Sequence, residues 1–316
     1  MTYGRPPGSI DDVLERGREP TMRKLTGLLL TVILVACSAA YGDRGSIPFT
    51  PGVKVFEPKQ RAMIAWNGKE EILLLSTDLR ASEATEVLEV IPLPSEPSVK
   101  KGDVEVFRRA TALINRKLRR RFIRGAPVWR GRAVAPAPAG EVTFHEKIGA
   151  HDISVTHVLD TGGFIAWVET YLRSVGVANP KVPEPMRNVV DEYLDEGFSW
   201  FVFDVISLDE EAKTNEAIQY TFATESLFYP LKITRTQEGE TSVELLVVTP
   251  RLLSKFPGIA TDRVQLLHEP VIITSNELRG LNEEMADLLG NCDVVKLRIW
   301  RITGRLSAFQ QDLVAQ

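Results

Sequence analysis

The chain has 316 residues, of which 44% are hydrophobic, 25% charged and 8% aromatic, a profile that excludes a disordered or collagen-like protein. Its 38 basic and 42 acidic residues give a net charge of −4, so no overall positive field points to a nucleic-acid partner. Two cysteines are too few for a disulfide-stapled scaffold.

The N-terminal segment has the pattern of an export signal. Met22-Arg23-Lys24 supplies a charged start, and an apolar run of signal-peptide length follows it and ends in small residues. We therefore interpret 22–42 as a signal peptide and 1–21 as a mis-assigned N-terminal extension. Residues 43–316 are then expected to form the mature exported domain, in the cell envelope or outside the cell.

Two modes of cleavage fit this signal. Leu34-Val35-Ala36-Cys37 resembles a bacterial lipobox, in which Cys37 is lipidated and becomes the first residue of an anchored protein. Small residues also allow ordinary cleavage after Ala40 or Gly42, which would release the protein. The sequence leaves both modes open.

Strands dominate the first part of the mature chain. Asn67-Gly68 between two apolar runs predicts a hairpin with a type I′ turn, in which both central residues have positive φ. A third strand is expected over 85–91, before a proline-rich stretch. A helix that Asp103 could cap follows, with one apolar face.

An Ala/Pro-rich segment at 133–140 is the best internal boundary in the sequence. It is expected to join two lobes, 43–132 and 141–316.

After that boundary, alternating apolar patterns predict more strands than helices. The run over 198–206 is apolar on both faces, so we expect a strand covered on both sides. Thr274 and Glu277 have the spacing of a capping box that opens a helix ending near 289. The other predicted elements are strands over 141–148, 152–159, 217–223, 230–236, 243–248, 264–273 and 294–302, and helices over 164–175 and 186–196. This order favours an α+β fold of mostly antiparallel sheets with a few amphipathic helices packed against them.

Four segments carry a family resemblance: Asp43-Arg44-Gly45-Ser46-Ile47-Pro48, Ile64-Ala65-Trp66-Asn67-Gly68, Leu88-Glu89-Val90-Ile91-Pro92-Leu93-Pro94 and Glu146-Lys147-Ile148-Gly149-Ala150-His151-Asp152. In these the chain resembles the exported prokaryotic family called domain of unknown function 2330, over nearly all of 43–316. The resemblance implies an exported envelope protein with no established activity, and it carries no catalytic motif. A basic insert around 116–132 departs from the family pattern.

Three of the four histidines are candidates for a metal site. His145, His151 and His157 are spaced six residues apart, and Glu146 adds a carboxylate. Three neutral imidazoles and a carboxylate would suit zinc or another divalent ion, if a hairpin near 149 brought them to one face. The alternative is that His151 and Asp152 hold a turn while the other two histidines are half-exposed. No short ligand spacing of a metalloprotease or zinc finger is present.

A basic cluster is the second candidate site. Guanidinium groups could bind anionic lipid headgroups or cell-wall polymers, and a lipid on Cys37 would supply a second membrane signal. The alternative is a solvated helix end, where cations favour the helix dipole. The cluster comprises Arg116, Lys117, Arg119, Arg120, Arg121 and Arg124.

Signals of catalysis are lacking. No nucleophile elbow, phosphate loop or dinucleotide fingerprint occurs, and no catalytic or cofactor-binding residue is assigned. Asp204 lies in an otherwise apolar run, where it is either a buried functional acid or a hydrogen-bonded strand residue. Cys292 is expected to be buried and inert. The leading hypothesis is therefore a non-catalytic binding or structural module of the cell envelope. A metal-dependent enzyme and a polyanion-binding protein are the alternatives.

Overall fold

The protein is represented by a computed structural model. It describes residues 45–50, 52–121, 144–148, 151–211, 213–214, 216–253, 263–290 and 292–316. All of these residues lie within one unit that spans Ala39–Gln316.

The strands and helices follow the chain in a mixed order. The strands are β1 (Gly45–Pro48), β2 (Val55–Trp66), β3 (Glu70–Ala81), β4 (Thr85–Leu93), β5 (Ser98–Lys101), β6 (Phe144–Ile148), β7 (His151–His157), β8 (Trp200–Leu208), β9 (Lys213–Thr214), β10 (Ile218–Ala223), β11 (Leu227–Tyr229), β12 (Glu240–Thr249), β13 (Val264–Leu266), β14 (Val271–Thr274), β15 (Val294–Arg305) and β16 (Leu313–Ala315). The helices are α1 (Glu105–Arg121), α2 (Thr161–Ser174), α3 (Glu184–Asp195), α4 (Ser275–Arg279) and α5 (Glu283–Leu288). Two 3-10 helices cover Lys232–Thr236 and Leu306–Ala308.

Most strands belong to two large sheets. The larger runs β13-β15-β12-β2-β3-β10-β5, with β14 also paired to β15 and β9 to β3. The smaller runs β1-β4-β8-β7-β6, and β11 pairs with β16 separately. The pair β2–β12 is parallel, whereas the pairs of the smaller sheet are all antiparallel. The predicted α+β class with largely antiparallel sheets is confirmed.

The two sheets pack face to face and are covered by helices on both outer sides. One apolar cluster joins the inner faces, for example Ile64 of β2 with Val202 of β8. A second packs α1, α4 and α5 on the outer face of the larger sheet, and a third packs α2 and α3 on the smaller. The order of layers is helix, sheet, sheet, helix, and β8 is covered on both faces as expected.

The predicted hairpin is present, but its turn differs. Trp66 pairs with Glu71, and the N–H of Asn67 donates to the carbonyl of Glu70 at 3.2 Å. The central residues are therefore Gly68, with φ of 102°, and Lys69. Positive φ at the first central position alone is typical of a type II′ turn, so the expected type I′ turn is wrong. Asn67 instead accepts hydrogen bonds from the N–H groups of Lys69 and Glu70 through Oδ1, both at 2.9 Å.

Three further elements differ from expectation. Residues 230–236 were expected as a strand, but Lys232–Thr236 is a 3-10 helix. The single strand expected over 264–273 is two short strands, β13 and β14. The helix opened by the Thr274–Glu277 capping box, which is present, ends at Arg279, and Asn282 caps a second one.

Strands from both sides of 133–140 share each large sheet. In the larger sheet β2 pairs with β12, and in the smaller β4 pairs with β8. The expected boundary at 133–140 lies outside the described residues and stays a prediction. Among the described helices, none combines the length and apolarity that crossing a membrane requires.

Candidate functional site

The three histidines of the predicted metal site occupy different positions along two paired strands. His151 opens β7 and His157 closes it, which places their Cα atoms about 20 Å apart at ordinary strand rise. His145 in β6 is in register with Ser154, midway between them. The register therefore does not bring the three positions together. The side chains of His145 and Glu146 lie outside the described residues, and no three His, Cys, Asp or Glu side chains elsewhere in the described chain could hold a metal.

His151 is paired with the acid that the sequence singled out. Its Nδ1 lies 2.7 Å from Oδ2 of Asp204, and the two residues are only 1% and 0% exposed. Asp204 is in register with Glu89 of β4, which is also buried. One imidazole and two carboxyl groups thus lie inside the sandwich, on the inner face of the smaller sheet.

His157 has a different environment at the other end of β7. Its Nε2 lies 3.1 Å from Oγ of Ser199, and its ring stacks on Trp200 with centroids 4.6 Å apart. Among the described residues no carboxylate pairs with His157, so the acid that would orient a Ser–His pair for nucleophilic catalysis is not found there.

The basic cluster is partly neutralised where the structure describes it. Nζ of Lys117 lies 2.5 Å from Oε2 of Glu277, and Nη2 of Arg116 lies 4.0 Å from the other oxygen. Burial raises the pKa of Glu277, but hydrogen bonds from Lys117 and Thr274 hold it below its usual value. Arg119 is exposed. The side chains of Arg120 and Arg121, and all of Arg124, lie outside the described residues.

Of the two cysteines, the structure describes Cys292. Cys37 lies outside the described residues. Cys292 is half-buried, and burial together with the charge of Asp293 raises the pKa of its thiol. A raised pKa disfavours the reactive thiolate. The expected full burial of Cys292 is wrong, since the residue is half-buried, and its inertness stays a prediction.

A cavity of about 510 Å³ lies beside the β2–β3 turn, and we call it the turn cavity. Four separate parts of the chain meet there: the turn itself, the loop between β10 and β11, the loop after β12 and the C-terminal residue. Its polar or aromatic lining comes from Trp66, Asn67, Glu225, Thr249, Arg251 and Gln316. Its volume is in the range of small-molecule sites.

Hydrogen bonds to the main chain and to neighbouring side chains fix this wall. The indole N–H of Trp66 donates to the carbonyl of Thr224 at 3.2 Å. Nε2 of Gln316 donates to Oγ of Ser226 at 3.1 Å, which holds the end of the chain against the β10–β11 loop. Asn67 is held by the turn that its own side chain closes. The lining is therefore largely formed before any ligand arrives.

Charges of both signs face the turn cavity. Glu225 and Arg251 are exposed, and neither forms an ion pair within the described part of the chain. Two aliphatic residues, Leu252 and Leu253, complete the wall, and Leu252 is 53% exposed. Unpaired charges beside apolar surface can orient a small polar ligand.

Behind this wall lies a buried arginine. Nη2 of Arg298 lies 2.5 Å from Oγ1 of Thr249, and Arg298 is only 1% exposed. Nε and Nη1 of its guanidinium are buried and have no hydrogen-bond partner in the described part of the chain. Burial lowers the pKa of Arg298 to about 10, so it remains a cation at neutral pH.

A buried carboxyl group, that of Glu71, lies beside Trp66 on the neighbouring strand β3. Glu71 is in register with Trp66, is fully buried and accepts a hydrogen bond from the N–H of Phe228 at 2.8 Å. Burial raises the pKa of Glu71 well above its usual value, against the effect of that hydrogen bond. Burial thus favours the neutral form of the Glu71 carboxyl, and no hydrogen bond or ion pair joins Glu71 to Arg298 in the described part of the chain.

Hydrogen bonds within the lining limit the chemistry that its hydroxyl group can perform. Its one hydroxyl, on Thr249, donates to the carbonyl of Arg251 and accepts from Arg298. Among the described residues it has no partner that could act as a base and activate it as a nucleophile. Among the described lining residues there is no histidine or cysteine.

Sequence reasoning missed Arg298 and the turn cavity. A signal for the arginine was present, since Lys296 and Arg298 alternate with the apolar residues of the last long strand. In a strand covered on both faces, such an alternation places cations inside the protein. The cavity itself depends on loops distant in sequence and leaves no local signal.

Comparisons with known proteins identify a family and no activity. The model of a family described as "Uncharacterized protein conserved in bacteria (DUF2330)" matches residues 38–305. No protein with a curated description matches the chain.

Similar solved structures include baculovirus P35, with 10% identity, a TM-score of 0.39, and coverage of 85% of this chain and 99% of that one. A mutated baculovirus P35 after caspase cleavage has 9% identity, a TM-score of 0.39, and coverage of 82% and 97%. The caspase-8/P35 complex has 8% identity, a TM-score of 0.37, and coverage of 82% and 96%. Likenesses this weak carry no argument about function.

Proposed function

The chain belongs to the bacterial family of uncharacterised proteins DUF2330, and from that premise we propose that it is an exported cell-envelope protein that binds a small polar ligand without transforming it. The observation that carries the proposal is the turn cavity. It joins a suitable volume with unpaired charges and a pre-formed wall.

Support for a binding role comes from the state of the lining groups. Glu225 and Arg251 line one cavity without pairing with each other, so each can form a hydrogen bond or ion pair with a ligand. Oε1 of Gln316 adds an acceptor whose amide is already held by Ser226. Gln316 loses little freedom when a ligand binds, because its side chain is already held by that hydrogen bond.

Support for export comes from the sequence alone. The segment 22–42 has the charged start, apolar run and small residues of a signal peptide. Cell fractionation of the producing bacterium tests this part, and recovery of the protein only from the cytoplasm would contradict it.

The binding part is tested by thermal unfolding of the purified full chain against a panel of sugars, amino acids and organic acids. We expect at least one compound to raise Tm in a saturable way. Glu225→Gln or Arg251→Gln should weaken that effect. Arg305→Gln, which removes an exposed arginine elsewhere, should leave it unchanged.

Two results would contradict the proposal. One is that no compound raises Tm, or that the shift persists undiminished in both cavity variants. The other is turnover of a substrate that a single substitution abolishes, since that would make the protein an enzyme.

A further inference from the structure

We propose that the turn cavity is specific for an oxyanion, either a carboxylate or a phosphate group on a small molecule, and that Arg298 is the residue that anchors it. This inference rests on the proposed function and specifies its ligand.

Arg298 carries a charge that the described residues around it do not balance. A guanidinium has five N–H donors and no acceptor, and it stays protonated in proteins. Here one nitrogen donates to Thr249, while Nε and Nη1 have no acceptor among the residues that the structure describes. A buried cation with unused donors is costly for the folded protein, so its retention points to an anion that completes it.

Thr249 connects the turn cavity to this charge. Thr249 lines the cavity and is itself the group that Nη2 of Arg298 contacts, at 2.5 Å. The guanidinium is thus one hydrogen bond behind the cavity wall. A ligand oxygen that displaces or bridges the Thr249 hydroxyl would reach it.

Arginine side chains lie both on the cavity wall and behind it. Arg251 adds a second guanidinium on the wall, and no carboxylate of the described chain pairs with it. Glu71, which is in register with Trp66 of the wall, has a raised pKa because burial favours its neutral form. The cavity wall thus carries the guanidinium of Arg251, with that of Arg298 behind Thr249, and each can pair with an oxygen of a bound anion.

The test compares anions at constant ionic strength. Thermal unfolding of the purified full chain is followed while chloride is replaced by acetate in one series and by inorganic phosphate in another. We expect a saturable rise in Tm in at least one series, and the series in which it occurs distinguishes carboxylate from phosphate. The same titration is repeated on Arg298→Met and on Arg301→Met, the control, whose arginine is half-exposed and paired with Glu244.

Arg298→Met should abolish the anion effect, whereas Arg301→Met should retain it. Without added anion, Arg298→Met should unfold at the same temperature as the unmodified protein or higher, because an uncompensated buried charge has been removed. A purely structural arginine would give the opposite sign. If Arg298→Met fails to fold, Arg298→Lys replaces it, with binding expected to weaken by roughly tenfold, because a lysine lacks the planar fork.

The outcomes separate the two proposals. Equal anion effects in Arg298→Met and the unmodified protein, or in Arg298→Lys where the methionine variant does not fold, would overturn the role of Arg298. A neutral sugar that raises Tm through Glu225 or Arg251, with no response to either anion, would keep the proposed function and overturn the oxyanion assignment. No response to any compound would overturn both.

Discussion

Nδ1 of His151 and Oδ2 of Asp204 lie 2.7 Å apart in the interior of the protein, on adjacent strands of the smaller sheet. Neither residue has appreciable contact with solvent. Removing one side chain leaves the other buried without its partner. This lowers the free energy of unfolding more than replacing both side chains with apolar groups does.

We therefore expect Asp204→Ala to lower the free energy of unfolding by about 3 to 5 kcal/mol. His151→Ala should cost a similar amount, and the double variant less than the sum of the two. Urea unfolding of the three variants measures this. His157→Ala is the control, with an expected cost of about 1 kcal/mol. Strictly additive costs would show that the two side chains do not act as a pair.

The separation of the histidines gives a second prediction. Because His151 and His157 lie at opposite ends of β7, His151→Ala should leave the metal content of protein purified without chelators unchanged. Elemental analysis checks this. If the unmodified protein contained a stoichiometric divalent metal that the variant lacked, the hypothesis of a metal-dependent enzyme would be supported again.

A buried aspartate makes stability depend on pH. Oδ1 of Asp312 accepts hydrogen bonds from the N–H groups of Leu231 and Lys232 and from the hydroxyl of Tyr193, at 2.7 to 2.8 Å. Burial raises the pKa of Asp312 to about 6, against the effect of these donors, whereas the unfolded value is near 3.8.

The folded state thus binds the proton more tightly than the unfolded state. The resulting stabilisation, about 3 kcal/mol for a two-unit difference, is present below pH 4 and is lost as pH rises through about 6. Subtracting the unfolding free energies of Asp312→Asn from those of the unmodified protein at pH 4 to 7 isolates this contribution. A difference that does not fall between pH 4 and pH 6 would contradict the assignment.

If the basic cluster binds anionic lipids, the protein should have an affinity for anionic liposomes that weakens as salt is added. Arg116→Gln combined with Arg119→Gln should weaken it, because both side chains are exposed. Lys117→Gln is the matched control, since Glu277 already neutralises that cation. Association that is absent, or that does not weaken with salt, would dismiss the hypothesis.

The mass of the mature N-terminus decides between anchoring and release. Lipidation predicts a first residue Cys37 that carries acyl chains, and ordinary cleavage predicts an unmodified chain that starts after Ala40 or Gly42. Mass spectrometry of the protein from its native host measures this directly. An N-terminus upstream of residue 22 would contradict the signal-peptide interpretation.

Local patterns predicted much of the fold. The hairpin around Asn67, the capping box of Thr274 and the strand over 198–206 each follow from neighbouring residues. The 3-10 helix at Lys232–Thr236 was not predictable from neighbouring residues. The N–H groups at its start donate hydrogen bonds to Asp312, which is distant in sequence. The same limit applies to the candidate site. Histidine spacing suggested convergence, but strand register separates the positions, and the turn cavity is assembled from four distant segments.

The parallel pairing of β2 with β12 constrains the order in which the protein can fold. Ile64 is in register with Leu73 on one side and with Val247 on the other. Leu73 is available as soon as the β2–β3 hairpin leaves the ribosome. Val247 emerges only after most of the chain has been made. Until then one edge of an apolar strand stays open to other chains, so a chaperone that shields extended segments would benefit this protein throughout its synthesis.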